Sequence, residues 1–250
     1  MDRLLARLPF LLTLSITLSL LMHGRIAQFP DYHAFADHSV YFGIPHATDV
    51  LSNIGFAFVA LWGLRRLLPL REHAALNKCW PGYSLFLYAL LLTAFGSTFY
   101  HLAPDNARLL WDRLPIALVC AGLLAGVRAD TVPNAESRRD TILLAIFALG
   151  SVVWWYISEL AGAGDLRLYL LLQGMPLILI PLWQAIYRAP KVERIAFGAA
   201  IFLYAVAKVT EVNDHTLMNA LGVLSGHTLK HLLAAAAAAV IVHRLIQRGR

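Results

Sequence analysis

Eight apolar runs of near-equal length divide this chain, and they constrain its fold more than any other feature does. They cover residues 4–22, 51–70, 81–101, 107–127, 141–161, 166–187, 194–212 and 221–244, each close to the ~20 residues that carry a helix across a hydrocarbon core. Within that core every backbone polar group must find its partner in the segment, so runs of this length are helices. The connections are short, and none is a flexible linker, a low-complexity tract or an internal repeat. Composition agrees, with 59% of the 250 residues hydrophobic and only 14% charged, and a mean hydropathy of +0.62. The expected fold is an all-α polytopic membrane protein, a seven-helix transmembrane bundle with an extra N-terminal transmembrane helix. It divides into an N-terminal helix and outer loop at 1–50 and a seven-span domain at 51–250.

The first run has the basic start of a signal peptide, Arg3 and Arg7, but no small-x-small cleavage pattern follows, and Met22-His23-Gly24-Arg25 suits processing poorly. It is read as a retained helix. With eight alternating spans, the basic residues at 3, 7, 65, 66, 71, 78, 128, 138, 139, 188, 191, 194, 244, 248 and Arg250 fall at ends on one side. The positive-inside rule makes that side, and with it the C-terminus, cytoplasmic. The net charge of +6 thus reflects topology and carries no nucleic-acid inference. Cys79 and Cys120 are isolated thiols that support neither a disulfide framework nor a thiolate metal site.

Against this background the stretch from Ala94 to Pro115 stands out. Ser97 and His101 lie four apart on one helix face. A turn carrying Pro104, Asp105 and Asn106 follows, and Asp112 comes about a turn and a half into the returning helix. Far downstream His227 and His231 form a second pair four apart, at the start of the last run. The topology places all five at one depth under the non-cytoplasmic surface, where polar groups are costly enough to mark a functional site. Three neutral imidazoles leaving one position open is the ligand set of a catalytic zinc, so His101, His227 and His231 are the expected metal ligands for Zn²⁺. Asp112 would take a proton from water and pass it to the leaving group, and the Ser97 hydroxyl would donate to a developing oxyanion.

Each residue alone has a plainer reading. A lone helical histidine is usually packed and hydrogen-bonded, so His23, His33, His38, His73 and His243 receive no role. Ser97 alone would bond a carbonyl of the preceding turn, and Asp112 alone would cap or pair with Arg108 or Arg113. The alanines from 234 to 239 suit either a tight helix interface or a lipid-facing surface. Glu159, Asp165, Glu211, Asp214 and His215 fall near the same surface, without spacing that assigns them.

The runs Gly96-Ser97-Thr98-Phe99-Tyr100-His101 and Leu110-Trp111-Asp112-Arg113-Leu114-Pro115, followed by His227 and His231, resemble the alkaline ceramidase family. That family belongs to a larger group of seven-helix membrane hydrolases that includes the adiponectin-receptor-like proteins. Leu51-Ser52-Asn53 is similar to the Ser-Asn that opens the family's first core helix, so the resemblance runs from about residue 46 to the end. It implies a zinc-dependent amidase that cleaves the N-acyl bond of ceramide-like lipids to a fatty acid and a sphingoid base. His101, His227 and His231 correspond to its zinc ligands, and Ser97 and Asp112 to its supporting catalytic residues. Two departures accompany it. The leading helix is additional, and where the eukaryotic enzymes have the glutamate and the first asparagine of a Ca²⁺ site, this chain has His46 and Asp49. Asp31, Asp37 and Asp49 still offer oxygens of the kind Ca²⁺ takes, but the departures weigh against a retained calcium site.

The substrate expected is thus a ceramide or another N-acyl lipid reached from within the membrane, with no nucleic acid and no protein partner. Two readings from other classes stay open: a receptor-like zinc protein that binds lipid without turnover, and a bis-histidine haem or ion-conducting protein, which would leave Ser97 and Asp112 unexplained. An intramembrane serine protease is weaker, since Ser97 lacks a Gly-x-Ser-Gly setting.

Overall fold

The computed structural model describes residues 3–249; Met1, Asp2 and Arg250, the last of the basic residues used for orientation, lie outside them. Among the described residues eight helical spans are long and apolar enough to cross a membrane, seven of them single helices and one broken in two, and the chain is an all-α polytopic membrane protein. In order, α1 (Arg3–His23) leads into a loop with a small antiparallel hairpin, β1 (Val40–Tyr41) and β2 (Ile44–Pro45). Then come α2 (Ala47–Ser52), α3 (Ile54–Leu67), α4 (Trp80–Leu102), α5 (Asn106–Thr131), α6 (Ser137–Leu160), α7 (Arg167–Ile186), α8 (Lys191–Val212), α9 (Asp214–Leu221) and α10 (Gly226–Arg248).

Two spans differ from their apolar runs. The first core span starts at Ala47 and is broken into α2 and α3 at Asn53. The Asn53 side-chain amide donates to the carbonyls of Asp49 and Val50, 2.9 and 3.4 Å away, a competition with the helix ladder that short amides commonly win. The last span starts at Gly226, five residues later than the run beginning at 221. Residues 214–221 form the separate short helix α9, mixed in polarity through His215, Thr216 and Asn219. It ends at Gly222, whose φ of +75° is a left-handed cap suited to glycine.

The α4–α5 hairpin is the tightest packing in the bundle, and small residues make it so. A Cβ on Gly82 would lie 2.1 Å from the Gly126 nitrogen, and one on Gly122 would lie 2.4 Å from the Phe86 nitrogen. At the other end of the hairpin Pro115 has no amide to give the Trp111 carbonyl. The α4 backbone comes against that free oxygen, where a Cβ on Gly96 would sit 2.1 Å away. Such close backbone approach is how membrane helices gain packing without a hydrophobic drive between them. It also sets Ser97, next to Gly96, beside Asp112, next to Trp111.

The alanine run divides between its two readings. Ala235, Ala237 and Ala238 are buried, with Ala235 meeting Gly55 of α3, while Ala236 is exposed. At the end of α10 away from the histidines, Glu193 accepts from Arg244 Nε at 2.7 Å and Arg248 Nε at 2.8 Å, and Arg248 also pairs with Asp130. These ion pairs tie α5, α8 and α10 together. The leading helix α1 packs on α7, where Thr13 meets Met175.

Candidate functional site

Two helix ends carry the three imidazoles. His101 sits in the last turn of α4, and His227 and His231 occupy the first two turns of α10. The start of α10 is held twice: Ser225 Oγ accepts from the Thr228 amide at 2.8 Å, and Asp214 Oδ1 accepts from the His227 amide at 2.7 Å. Carboxylate and hydroxyl caps suit the unpaired amides and positive dipole of a helix start. Gly226 is required there, because a Cβ would lie 2.1 Å from the Thr210 carbonyl of α8.

The three imidazoles are buried and offer one nitrogen each within 4.8 Å of the others. His101 Nε2 and His227 Nε2 are 3.2 Å apart. A tetrahedral zinc with nitrogen bonds of about 2.0–2.1 Å spaces its ligands about 3.4 Å apart, so this pair already fits, and the third nitrogen would have to close in from within 4.8 Å. His101, His227 and His231 therefore form a buried group that could hold a metal ion.

The tautomer of His231 follows from its neighbours. Its Nδ1 faces the Asp49 carbonyl oxygen at 3.2 Å and Ser52 Oγ at 2.8 Å, and the Ser52 hydroxyl itself donates to the Asp49 carbonyl. Two acceptors around Nδ1 place the proton there and leave Nε2 bare, the arrangement by which outer groups orient a histidine ligand. Asp49 is itself fixed, its Oδ1 accepting from Ser225 and Thr228 at 2.8 and 2.5 Å and its amide donating to Asp37 Oδ2 at 2.9 Å. Burial raises the Asp37 carboxyl, but hydrogen bonds from Ser39, the Asp49 amide and Thr48 outweigh it and hold the group below the usual range. The oxygens of Asp37 are thus engaged by amides, and Asp31 is exposed on the loop.

The loop before α2 closes over the triad. The Phe35 ring lies 4.7 Å from that of His101 and 4.5 Å from that of His227, centroid to centroid. Asp214 Oδ2 accepts from the Ala36 amide at 2.9 Å, and His33 bridges Tyr100 Oη and Asn106 Oδ1 at 2.8 and 2.9 Å. Ser97 and Asp112 are buried and face each other across the Gly96–Trp111 contact. Arg108 pairs with Asp105 at the start of α5, leaving Asp112 free of it.

All five residues expected from the sequence are thus brought to one end of the bundle. Sequence reasoning missed Lys230, whose Nζ lies 3.0 Å from His227 Nε2 and donates to Glu211 Oε1 at 3.0 Å. It missed the parts played by Phe35, Ser52 and Asp49, and left Asp214 unassigned although it caps α10. His215 bonds the Ala34 carbonyl, and Glu159 accepts from Asn106, so both brace the loop. Asp165 instead joins the loop to α6 and α7, through the Ile26 amide, Trp154 and Arg167.

Compared with family models, curated proteins and solved structures, the chain matches none. The chemistry must therefore be read from the site itself: three buried imidazoles that could hold a metal ion, with a buried carboxylate and a hydroxyl beside them, at the end of a membrane bundle.

Proposed function

We propose that this chain is a zinc-dependent membrane amidase that hydrolyses the N-acyl bond of ceramide-like lipids, releasing a fatty acid and a sphingoid or other lipid amine. The observation that carries the reading is the convergence of His101, His227 and His231, from segments 126 residues apart, on one buried point with Ser97 and Asp112 beside it. The motif resemblance to the alkaline ceramidases supports the substrate class.

When bound there, zinc would lower the pKa of water towards ~7 and polarise the amide carbonyl. The residues of the chain supply the rest. Asp112 takes the proton of the attacking water as its oxygen joins the carbonyl carbon, and returns a proton to the amine nitrogen as the carbon–nitrogen bond breaks. Ser97 donates to the oxygen on which charge develops. Asp49 and Ser52 hold the proton on His231 Nδ1, and Phe35 keeps bulk water off the imidazoles. The charge pattern puts this end of the bundle at the non-cytoplasmic face and the C-terminus in the cytoplasm, in the inner membrane if the source is bacterial.

One observation favours the second reading, a receptor-like zinc protein that binds lipid without turnover. Phe35 covers two of the three imidazoles, and such a cover suits a closed pocket as well as a reaction chamber. The test is release of fatty acid from a long-chain N-acyl sphingoid in detergent by wild type and Asp112→Asn. The variant should keep its zinc and lose ~100 to 10,000-fold in rate. Zinc-loaded wild type without turnover would favour the receptor-like reading, and a variant as fast as wild type would remove Asp112 from the mechanism.

A further inference from the structure

A buried guanidinium one residue from Asp112 has no role in the chemistry above. Arg113, on α5 and 2% exposed, lies among three aromatic rings from three different segments: Trp155 of α6 at 4.0 Å, Tyr32 of the loop at 4.8 Å and Tyr169 of α7 at 5.4 Å. Rings at these distances stabilise its charge, but its nitrogens still need hydrogen-bond acceptors. Two of the three are without one. Nε and Nη1 are buried and meet no acceptor, and the indole nitrogen of Trp155, itself fully buried, meets none either. Asp112 is the preceding residue but turns to Ser97 and hydrogen-bonds neither nitrogen.

A membrane bundle does not keep a cation with unmet donors for packing alone, because a charged side chain at this depth is tolerated when it faces a partner or a pathway. Aromatic faces stabilise the charge but offer an N–H only a weak contact in place of a full hydrogen bond. Guanidinium geometry favours paired oxygens, as in a carboxylate or phosphate. We propose that Arg113, with the Trp155 indole, is the binding point for the oxyanion group, carboxylate or phosphate, of a ligand. The site is separate from the imidazoles and needs no turnover. If the amidase reading holds, the carboxylate of the released fatty acid is one such group, and that link alone rests on hydrolysis.

The test is equilibrium binding to the purified full chain in a non-ionic detergent, with laurate, dodecyl phosphate, inorganic phosphate and dodecanol as probes. Wild type should bind one or more of the anions at least tenfold more tightly than dodecanol. The chain-bearing probes against inorganic phosphate tell a lipid headgroup from a free anion. Arg113→Gln should lose at least tenfold for the anion and nothing for dodecanol, with Arg113→Lys between them. His231→Ala should leave anion binding intact, which separates this site from a carboxylate held at the metal triad. Equal affinity of wild type for laurate, dodecyl phosphate and dodecanol, with no binding of inorganic phosphate, would overturn the proposal even if the Gln variant fails to fold. So would anion binding that survives Arg113→Gln and disappears in His231→Ala.

Discussion

Removing the Ser52 hydroxyl tests how His231 is presented to a metal. Ser52 Oγ is 2.8 Å from His231 Nδ1, and it is the shorter of the two contacts that keep the proton on that nitrogen; the Asp49 carbonyl at 3.2 Å is the other. Loss of an outer partner of a histidine ligand commonly costs 10–100-fold in metal affinity. Because the Asp49 carbonyl survives in Ser52→Ala, the lower end applies, a loss of ~10-fold or ~1.4 kcal/mol. Competition with a chromophoric zinc chelator measures it, and Ser52→Thr, which keeps a hydroxyl, should stay near wild type. Wild-type affinity in a folded Ser52→Ala protein would refute the assignment of Nε2 of His231 as a ligand atom.

Three further outcomes are expected. Gly96→Ala puts a methyl 2.1 Å from the Trp111 carbonyl, so α4 and α5 must part; overpacking of this kind costs ~1–3 kcal/mol, and an unchanged thermal midpoint in detergent would show that the helices do not meet there. Lys230→Met frees the His227 Nε2 lone pair from a hydrogen bond worth ~1 kcal/mol net, so zinc affinity should rise by about fivefold, and a fall would mean that Lys230 supports the metal rather than competing with it. Burial raises the Asp165 carboxyl, but bonds from Arg167, Trp154 and the Ile26 amide hold it down to about 2. Its stabilisation is therefore complete above the ordinary carboxylate pKa and is lost as pH falls through about 2. The gap in thermal midpoint between wild type and Asp165→Asn should narrow between pH 5 and pH 2, whereas a constant gap would contradict that sign.

The spans were legible because membrane helices need long apolar runs, which nothing else in the sequence imitates. Where a run meets a polar helix the signal fails: α9 was invisible because Asp214, His215, Thr216 and Asn219 interrupt the pattern, and the start of α10 was placed five residues early as a result. The triad was legible because His227 and His231 lie one helical turn apart and the alternation of spans fixes the depth of His101. The groups around it were not. Ser52 reaches His231 across 179 residues, and Asp214 links the His227 amide to that of Ala36, 178 residues away from it. Lys230 was in plain view between the two histidines. A side chain's position one residue from a ligand does not say whether it turns towards the ligand nitrogens or towards Glu211, and here it does both. Arg113 reads in sequence as a partner for Asp112, and only the arrival of rings from α6, α7 and the loop shows otherwise.

The most direct measurement is fatty-acid release from a long-chain N-acyl sphingoid by one preparation before metal removal, after chelation, and after reloading with a single equivalent of zinc. Turnover should vanish on chelation and return in proportion to zinc bound, and a His101→Ala protein taken through the same cycle should regain neither zinc nor turnover. Turnover that survives complete removal of metal, or none at full zinc occupancy on any N-acyl lipid tried, would contradict the claim that these three histidines hold a hydrolytic zinc.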